Sequence, residues 1–377
     1  MKLTKAKARR LWLHAQKLDI SSPFGSGPKA TKAAIEHLGY VQIDTINVIE
    51  RCHHHILYNR IPKYKKKDLH HSQTIDKSVF EYWTHALSYV PTRDFHFFLQ
   101  EMKRIQKTPV EWLASVKKAE LKKVLDLIEK EGPVSIRDIA DDKLVEKTHA
   151  WGSRKPSKKA LTLGFHSGRL VINERLGMLK KYELTQRHFD WEVEPKAANE
   201  TEINEYILER SLRSQSLVSL DSICHLKPSL KPVMKNLIKL KIKSGRLIEV
   251  SIEGIEKNQH WIKPSDLEIK IPSSTDLVHI LSPFDPLIIQ RKRLKTFFEY
   301  EHLFEAYIPK EKRIYGYFGL PVLMDDKIIA VLDLKTDRQE KKLLIQSWSW
   351  LGKNKTASNK ALVETELDRF EKFQLST

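Results

Sequence analysis

The sequence predicts a mainly α fold with β structure, and a repeated pattern in the middle of the chain is the first reason. One copy contains Val134-Ser135-Ile136 followed by Ser167-Gly168-Arg169-Leu170, and the other contains Val218-Ser219-Leu220 followed by Ser244-Gly245-Arg246-Leu247. In each copy the first serine suits the N-cap of a short helix, and the glycine suits the left-handed end of a second helix. Alternating residues then predict a β-hairpin, and helix, helix and hairpin in this order form a winged helix-turn-helix unit.

The second reason is that the N-terminal part of the chain follows the same order more loosely. Helices are predicted over residues 4–16 and 28–38, Gly39 ends the second helix, and a strand follows directly. Thr108-Pro109-Val110-Glu111 is a capping box with proline at the first helical position. It predicts a helix that runs to about residue 130 and separates the first unit from the second.

We therefore expect three tandem winged helix-turn-helix units, in residues 1–118, 119–190 and 200–270. The predicted hairpins comprise residues 170–175 with 179–185 and residues 246–252 with 259–262. A generic α-helical core with incidental hairpins is the alternative that the pattern leaves open.

The last part of the chain, residues 271–377, is predicted to be rich in β structure. The predicted elements are strands over residues 313–323, 327–334 and 342–350 and a closing amphipathic helix over residues 358–375. Met324-Asp325-Asp326 is the predicted turn between the first two strands.

The charge balance points to a polyanionic partner. Among the 377 residues, 66 Lys and Arg oppose 48 Asp and Glu, which gives a formal net charge of +18. Such a charge favours nucleic acid first and an anionic membrane surface second. No apolar run approaches the roughly 18 residues of a membrane span, and the basic N-terminus lacks the apolar core of a secretory signal. Two distant cysteines, Cys52 and Cys224, predict a reducing compartment and argue against a structural zinc site.

The most informative short segment is Val41-Gln42-Ile43-Asp44. Side chains of a strand alternate between its two faces, so Gln42 and Asp44 are expected on one edge while Val41 and Ile43 point into a core. A polar pair on the solvated face of a strand is the ordinary alternative.

Basic and histidine residues supply the candidate DNA contacts. His53, His54 and His55 do not share one face of a helix or strand, which argues against a metal site and favours contacts to phosphates or bases, together with Arg51 and Arg60. Further contacts are predicted on the repeated units, where lysine near a helix N-terminus suits a phosphate. These additional residues are Lys158, Arg169 and Arg246.

A nuclease-like grouping is a weaker candidate. Asp285 in Pro283-Phe284-Asp285 and the pair Asp333 and Lys335 resemble the carboxylates and lysine of metal-dependent nucleases, although their separation is long for such a site. The favoured interpretation is that Asp285 caps a helix over residues 287–298.

With these residues in view, most of the chain resembles the bacterial AlkZ/YcaQ-type DNA glycosylases. The segments that carry the resemblance are Leu38-Gly39-Tyr40-Val41-Gln42-Ile43-Asp44-Thr45, His53-His54-His55 with Arg60, Tyr82-Trp83-Thr84-His85, Leu281-Ser282-Pro283-Phe284-Asp285-Pro286-Leu287, Tyr315-Gly316-Tyr317, Leu320-Pro321-Val322 and Val331-Leu332-Asp333-Leu334-Lys335. That family has a Gln-apolar-Gln and a Gln-apolar-Asp branch, and this chain has the second pattern. The resemblance implies that Gln42 and Asp44 are the catalytic pair, that three winged helices cradle DNA, and that no metal or other cofactor is required.

The resemblance further implies excision of N7-alkylated purines and unhooking of interstrand crosslinks in double-stranded DNA. We expect a monofunctional, metal-independent enzyme in which Asp44 activates water, working as a monomer in the bacterial cytoplasm at the nucleoid and not at a membrane. A winged-helix transcriptional regulator without catalysis is the alternative from a different class.

Overall fold

The computed structural model describes residues 1–141, 155–271 and 275–376. Residues 142–154 of the predicted second unit, and residues 272–274, lie outside the described part. The chain groups into two compact units. The first unit comprises Met1–Lys66, Thr84–Ser88 and Asn204–Thr377, and the second comprises Lys67–Trp83 and Tyr89–Ile203. The division into four consecutive ranges stays a prediction.

The described residues form helices along the whole chain. These are α1 (Lys5–Ala15), α2 (Gly27–Leu38), α3 (Cys52–Tyr58), α4 (Lys66–His70), α5 (Leu99–Lys107), α6 (Lys118–Glu131), α7 (Pro156–His166), α8 (Thr185–Phe189), α9 (Glu200–Gln215), α10 (Leu220–Ile223), α11 (Lys231–Lys243), α12 (Pro264–Leu267), α13 (Arg291–Phe298) and α14 (Ala357–Leu375). No helix among the described residues combines the length and apolarity that crossing a membrane requires.

Short strands alternate with these helices. They are β1 (Lys2–Leu3), β2 (Val41–Gln42), β3 (Val79–Trp83), β4 (Leu87–Pro91), β5 (Val134–Ser135), β6 (Leu170–Leu176), β7 (Leu179–Leu184), β8 (Ile248–Ile252), β9 (His260–Ile262), β10 (Val278–Ile280), β11 (Gly319–Met324), β12 (Lys327–Asp337) and β13 (Lys342–Trp350).

The first unit contains two sheets, and residues of both sheets pack into one hydrophobic core. One sheet has the order β1-β8-β9, with β1 parallel to β8, and the other is antiparallel with the order β10-β11-β12-β13. Trp12 of α1, Phe297 of α13, Ile252 of β8 and Val331 of β12 belong to one buried apolar cluster. This cluster removes large apolar side chains from water, which is the main stabilising contribution to such a core.

The hairpins predicted from the repeat are confirmed. In the second unit, α7 ends before Gly168, and β6 and β7 pair antiparallel with Leu170 opposite Leu184. In the first unit, α11 ends before Gly245, and β8 and β9 pair with Ile248 opposite Ile262. Both glycines have the predicted left-handed conformation, with φ of 70° and 69°.

The two copies differ at their first serine. Ser219 is the N-cap of α10, since its side chain accepts from the backbone N–H of Ser222, as predicted. The helix predicted after Ser135 is wrong, because Ser135 ends β5 and its hydroxyl donates to Asp138 while accepting from the backbone of Arg137. A serine side chain that bonds to the nearby backbone can stabilise a turn as readily as a helix start.

The helix predicted from the capping box at residues 108–111 is also wrong at its start. A short 3₁₀ turn, Glu111–Leu113, occupies that place, and the helix α6 begins only at Lys118. Leu113 is fully buried with Ile105 and Leu163, so packing fixes the turn there. The predicted end is confirmed, because Gly132 follows α6 with φ of 86°.

Most C-terminal elements agree with the prediction, but the strand predicted over residues 313–323 is wrong at its start, because β11 begins at Gly319. β11 and β12 flank the predicted turn, β13 spans the predicted residues 342–350, and α14 closes the described chain. Arg9 and Arg10 of α1 make ion pairs with Asp326 and Asp325 in that turn. Two basic residues of the first helix therefore have structural partners.

Candidate functional site

The segment that carries Gln42 and Asp44 leaves its strand between the two residues. β2 ends at Gln42, and the backbone N–H of Ile43 donates to the carbonyl oxygen of Leu87 over 2.8 Å. Val41 and Ile43 are buried, as predicted. The expectation that both polar residues lie within one strand is wrong, because the Asp44 carboxylate accepts from the backbone N–H of Ile46 over 2.8 Å and begins a turn.

Asp44 remains partly open to solvent. One carboxylate oxygen bonds to Ile46, and the other has no hydrogen bond to a protein group within the described ranges. A partly exposed carboxylate with a free oxygen can accept a proton from a water molecule.

Gln42 is held on two sides. Its side-chain oxygen Oε1 lies 3.0 Å from Nε2 of His85, and its backbone carbonyl accepts from the thiol of Cys52 over 3.0 Å. Only 6 % of Gln42 is exposed. The amide therefore has little freedom to rotate.

His85 lies in a cage of aromatic and basic groups. Its ring centre is 5.0 Å from that of Tyr40 and 6.0 Å from that of His225. Burial, with His225, Arg210 and Lys227 nearby, lowers the pKa of His85 from 6.5 to about 4. The imidazole is thus neutral at neutral pH.

The cage depends on Gly39, which ends α2. Gly39 has φ of 80°, a conformation that favours glycine, and a β-carbon there would overlap the side chain of Arg210. The Arg210 guanidinium lies 5.6 Å from the ring centre of Tyr40, and burial raises the pKa of Tyr40 to about 12. A small residue at position 39 thus allows Arg210 to pack over Tyr40.

Hydrogen bonds from β12 and from Arg338, the residue that follows it, hold the loop after Asp44 in place. The backbone N–H of Thr336 donates to the carbonyl of Val48 over 2.9 Å. Arg338 donates to the carbonyl and the side-chain oxygen of Asn47 over 3.1 and 2.9 Å. These bonds connect the catalytic candidate to the C-terminal sheet of the same unit.

The three histidines lie on α3, where they serve the packing of the first unit. His55 is completely buried, its Nε2 is 2.7 Å from the carbonyl oxygen of Ile280, and burial lowers its pKa to about 4. His53 is 3 % exposed, and Nδ1 of the partly exposed His54 lies 2.7 Å from the hydroxyl of Tyr64. His55 has no exposed surface from which to contact DNA in this structure.

Arg60 and Asp285 form a fully buried ion pair. Two guanidinium nitrogens of Arg60 donate to the two carboxylate oxygens over 2.7 and 3.0 Å, and its Nε donates to the carbonyl of Gln16. Both side chains are 0 % exposed. The predicted contact between Arg60 and DNA is therefore not available in this structure, where the guanidinium neutralises an internal carboxylate instead.

Most of the chain matches one known protein family. The family described as "DNA glycosylase AlkZ-like" matches residues 35–373. The chain belongs to this DNA glycosylase family. The resemblance seen in the sequence is confirmed, and the protein is accordingly an enzyme of DNA repair that acts on DNA.

A solved structure has the same general fold. Streptomyces sahachiroi DNA glycosylase AlkZ is similar at a TM-score of 0.63 and 14% sequence identity, over 99% of this chain and 97% of that chain. At this identity the similarity shows the fold alone, so the roles of individual residues depend on the structure of this chain.

The nuclease-like grouping does not assemble in this family member. Asp285 is paired with Arg60, and Asp333 accepts from the backbone N–H groups of Tyr317 and Phe318 over 2.7 and 3.1 Å. Among the residues that the structure describes, no cluster of three His, Cys, Asp or Glu side chains could hold a metal ion. Asp285 also accepts from the backbone of Leu287, but the helix α13 begins later than predicted, at Arg291.

The remaining DNA-contact candidates lie at the surface. Arg51 is partly exposed next to α3, and Arg246 is exposed after α11 in the first unit. Lys158 on α7 and Arg169 after it are exposed in the second unit. All four side chains have exposed surface, and their contacts to DNA stay predictions.

Sequence reasoning missed the residues that surround Gln42. His85 was recognised only as part of a family segment, and Tyr40, Arg210 and His225 had no assigned role. The only signal for His85 in the sequence was its place next to Thr84, in a short polar turn between two apolar segments. Nothing in the sequence pairs that turn with the strand of Gln42, because the two are separated by more than forty positions.

Proposed function

We propose that this DNA glycosylase hydrolyses the N-glycosidic bond of N7-alkylated purines, with Asp44 as general base and Gln42 orienting the attacking water. The observation that carries the proposal is the partly exposed Asp44 carboxylate, one oxygen of which is unoccupied by described protein groups, directly after the immobilised Gln42. General-base catalysis of this kind typically contributes about 10²–10⁴-fold.

The substrate's own charge explains why so few groups suffice. An N7-alkylated guanine is cationic, so when the bond between C1′ and N9 breaks, its electron pair neutralises the base. The sugar becomes oxocarbenium-like, and a nearby carboxylate stabilises that positive charge. Water then forms the C1′–O bond, and its proton passes to Asp44.

The reaction as proposed ends with a free base and an abasic site. A water nucleophile forms no covalent bond between protein and sugar, so we propose no strand cleavage by the enzyme. None of these steps requires a metal ion or another cofactor.

We also propose that helix–hairpin elements hold the DNA. α7 with β6 and β7, and α11 with β8 and β9, have the order of winged helices, and exposed basic residues such as Lys158 and Arg246 lie on or next to them. We also propose interstrand crosslinks as substrates. A crosslinked base is tethered to both strands and cannot swing fully into a pocket, so we expect base flipping to be less important for them. Because Gln42, Asp44 and His85 come from one chain, we propose a monomer that works on the bacterial nucleoid.

The direct test is a product assay. Purified protein is incubated with a chelator and a duplex that carries one N7-methylguanine, and half of each sample is then treated with mild alkali. The proposal expects strand breaks at the lesion only after alkali, and none in an undamaged duplex. Asp44→Asn should bind the duplex as wild type does and leave the lesion in place.

Other outcomes separate the competing functions. Nicks in undamaged DNA that need magnesium would favour the nuclease grouping. Tight sequence-selective binding without any excision, on the simple lesion or on a nitrogen-mustard crosslink, would favour the regulator. Excision by Asp44→Asn at the wild-type rate would remove Asp44 from the proposed role.

A further inference from the structure

We propose that His85 is a positioning residue that sets the orientation of the Gln42 amide, so that the amide NH₂ group faces the attacking water. The inference deepens the proposed function and rests on it. His85 touches neither water nor DNA in this account, and it acts through Gln42 alone.

The hydrogen bond between the two residues decides which end of the amide faces the site. Nε2 of His85 lies 3.0 Å from Oε1 of Gln42, and with this oxygen as the acceptor the ring carries its hydrogen on Nε2. The amide nitrogen of Gln42 then points away from His85, and it has no hydrogen bond to a protein group among the residues that the structure describes. Its two N–H groups remain available to an oxygen in the site.

The surroundings of His85 favour this neutral form of the ring. Burial and the nearby cations Arg210 and Lys227, with His225, disfavour an added proton. A neutral imidazole has one N–H and one acceptor nitrogen. Nδ1 lies 3.4 Å from the hydroxyl of Thr84, which donates to the carbonyl oxygen of Ala86 over 3.2 Å.

The ring is also held in place by its turn. The backbone N–H of Thr84 donates to the carbonyl of Ala86 over 2.9 Å, and the Thr84 hydroxyl is 3.1 Å from that of Ser88. Tyr40 meets the His85 ring nearly edge-on, at an interplanar angle of 77°. A fixed ring gives a fixed donor direction, which is what a positioning residue requires.

The orientation matters because the reverse amide would do different chemistry. With NH₂ facing the site, Gln42 donates to the oxygen of the water while Asp44 accepts the water's proton. With the carbonyl facing the site, Gln42 would instead accept one of the water's two hydrogens and could not donate to its oxygen. His85 therefore determines whether Gln42 donates a hydrogen bond to the water or accepts one from it.

The test is a double-mutant cycle on single-turnover excision of N7-methylguanine, with His85→Phe, Gln42→Ala and the double variant. His85→Phe keeps an aromatic ring and removes the donor, and we expect about a tenfold slower excision, the size of one lost hydrogen bond. In the Gln42→Ala background, His85→Phe should cause no further loss, since a residue that acts only through Gln42 has nothing left to position. Additive losses would overturn the inference.

A conservative variant and a spectroscopic measurement complete the design. His85→Gln can still donate from a position close to that of Nε2 and should retain most of the wild-type rate, with its DNA affinity unchanged. The ¹⁵N spectrum of histidine in the wild-type protein should show the hydrogen of His85 on Nε2. A hydrogen on Nδ1 would overturn the inference even if His85→Phe fails to fold.

Failure of the inference and failure of the proposed function give different results. If wild type excises the lesion and His85→Phe excises it equally fast, the inference about His85 is wrong and the proposed function is unaffected. If wild type leaves the lesion intact, the proposed function falls, and the ¹⁵N measurement still tests the orientation of the amide.

Discussion

Two aspartates of the first unit, Asp44 and Asp285, show how differently one side chain can be used. Asp285 is completely buried, and both of its oxygens bond to the guanidinium of Arg60. Asp44 is partly exposed, and one of its oxygens bonds to the backbone of Ile46. Both belong to segments that looked chemically active in the sequence.

The difference teaches that a carboxylate is available for catalysis only when folding has not already used its charge and lone pairs. Burying the Arg60–Asp285 pair costs desolvation of two ions, which only a well-formed bidentate contact offsets. Once formed, that contact leaves Asp285 without a free acceptor for a substrate proton. Asp44 is partly exposed, so its carboxylate is not fully desolvated, and one of its oxygens remains able to accept a proton.

The largest expected effect comes from breaking the buried pair. Asp285→Asn leaves the Arg60 charge without compensation, so the free energy of unfolding should fall by about 3–5 kcal/mol. Urea denaturation at pH 7.5 measures this. The matched control is the exposed pair Lys360–Glu364, where Glu364→Gln should change the free energy of unfolding by about 1 kcal/mol or less. Equal effects at the two pairs would show that Asp285 is not the structural carboxylate described here.

The next effect tests the cage around His85 through Gly39. Gly39→Ala strains a left-handed residue and forces Arg210 to move, so its cost should exceed the about 1–2 kcal/mol of the left-handed conformation alone. Gly245→Ala is the control, because its φ is 69° and an added β-carbon meets nothing within 4 Å. Thermal melting compares the two variants. Equal losses of stability would mean that Arg210 does not pack against position 39.

A third effect concerns acid, and it depends on buried histidines whose surroundings include Asp285. Burial lowers the pKa of His55 and His279, whose surroundings include Asp285, from 6.5 to about 4. Unfolded histidines bind protons below pH 6.5 while the native ones do not, so stability is complete above that pH and falls as pH drops toward 4. Urea midpoints between pH 7.5 and 4.5 should therefore decrease.

The control for acid sensitivity is His55→Gln, which keeps a donor for the carbonyl of Ile280 and removes one titrating group. It should lose less stability than wild type over the same pH interval, whatever its stability at pH 7.5. A midpoint that rises on acidification would contradict the burial of these histidines.

The smallest effect tests whether the exposed Arg246 contacts DNA. Arg246→Ala should weaken binding to any duplex and reduce the slope of log affinity against log salt by about 0.9, the value for one phosphate contact. Fluorescence anisotropy at several salt concentrations measures the slope. Lys360→Ala, outside the predicted contacts, should leave the slope unchanged, and a slope that Arg246→Ala does not alter would remove Arg246 from the interface.

Much of the fold was predictable because its signals are local. Thr4 caps α1 and Gly39 ends α2 at the expected places, and the turn at Asp325 and the strand over 342–350 agree with the sequence pattern. The helix start expected at residue 108 failed because burial of Leu113 favoured a 3₁₀ turn over the local capping signal. Local sequence signals predict a helix or a strand, and tertiary packing can override that prediction.

The site was predictable only in part, because its geometry depends on contacts between distant segments. Gln42 and Asp44 stood out through the short Val41-Gln42-Ile43-Asp44 segment, and the family resemblance then implied their catalytic roles. The partner of Gln42 could not be predicted, because His85 reaches it through the pairing of Ile43 with Leu87. Arg60 looked like a DNA contact for the same reason: the sequence does not show that Asp285 lies beside it.

The most direct test of the separate roles of Asp44 and Asp285 is a crossed measurement on Asp44→Asn and Asp285→Asn. Single-turnover excision of N7-methylguanine and urea unfolding are recorded for both variants under conditions where each remains folded. We predict that Asp44→Asn loses about 10²–10⁴-fold in excision with stability nearly unchanged, whereas Asp285→Asn loses stability and retains excision while folded. Excision that survives in Asp44→Asn and disappears in folded Asp285→Asn would contradict the account.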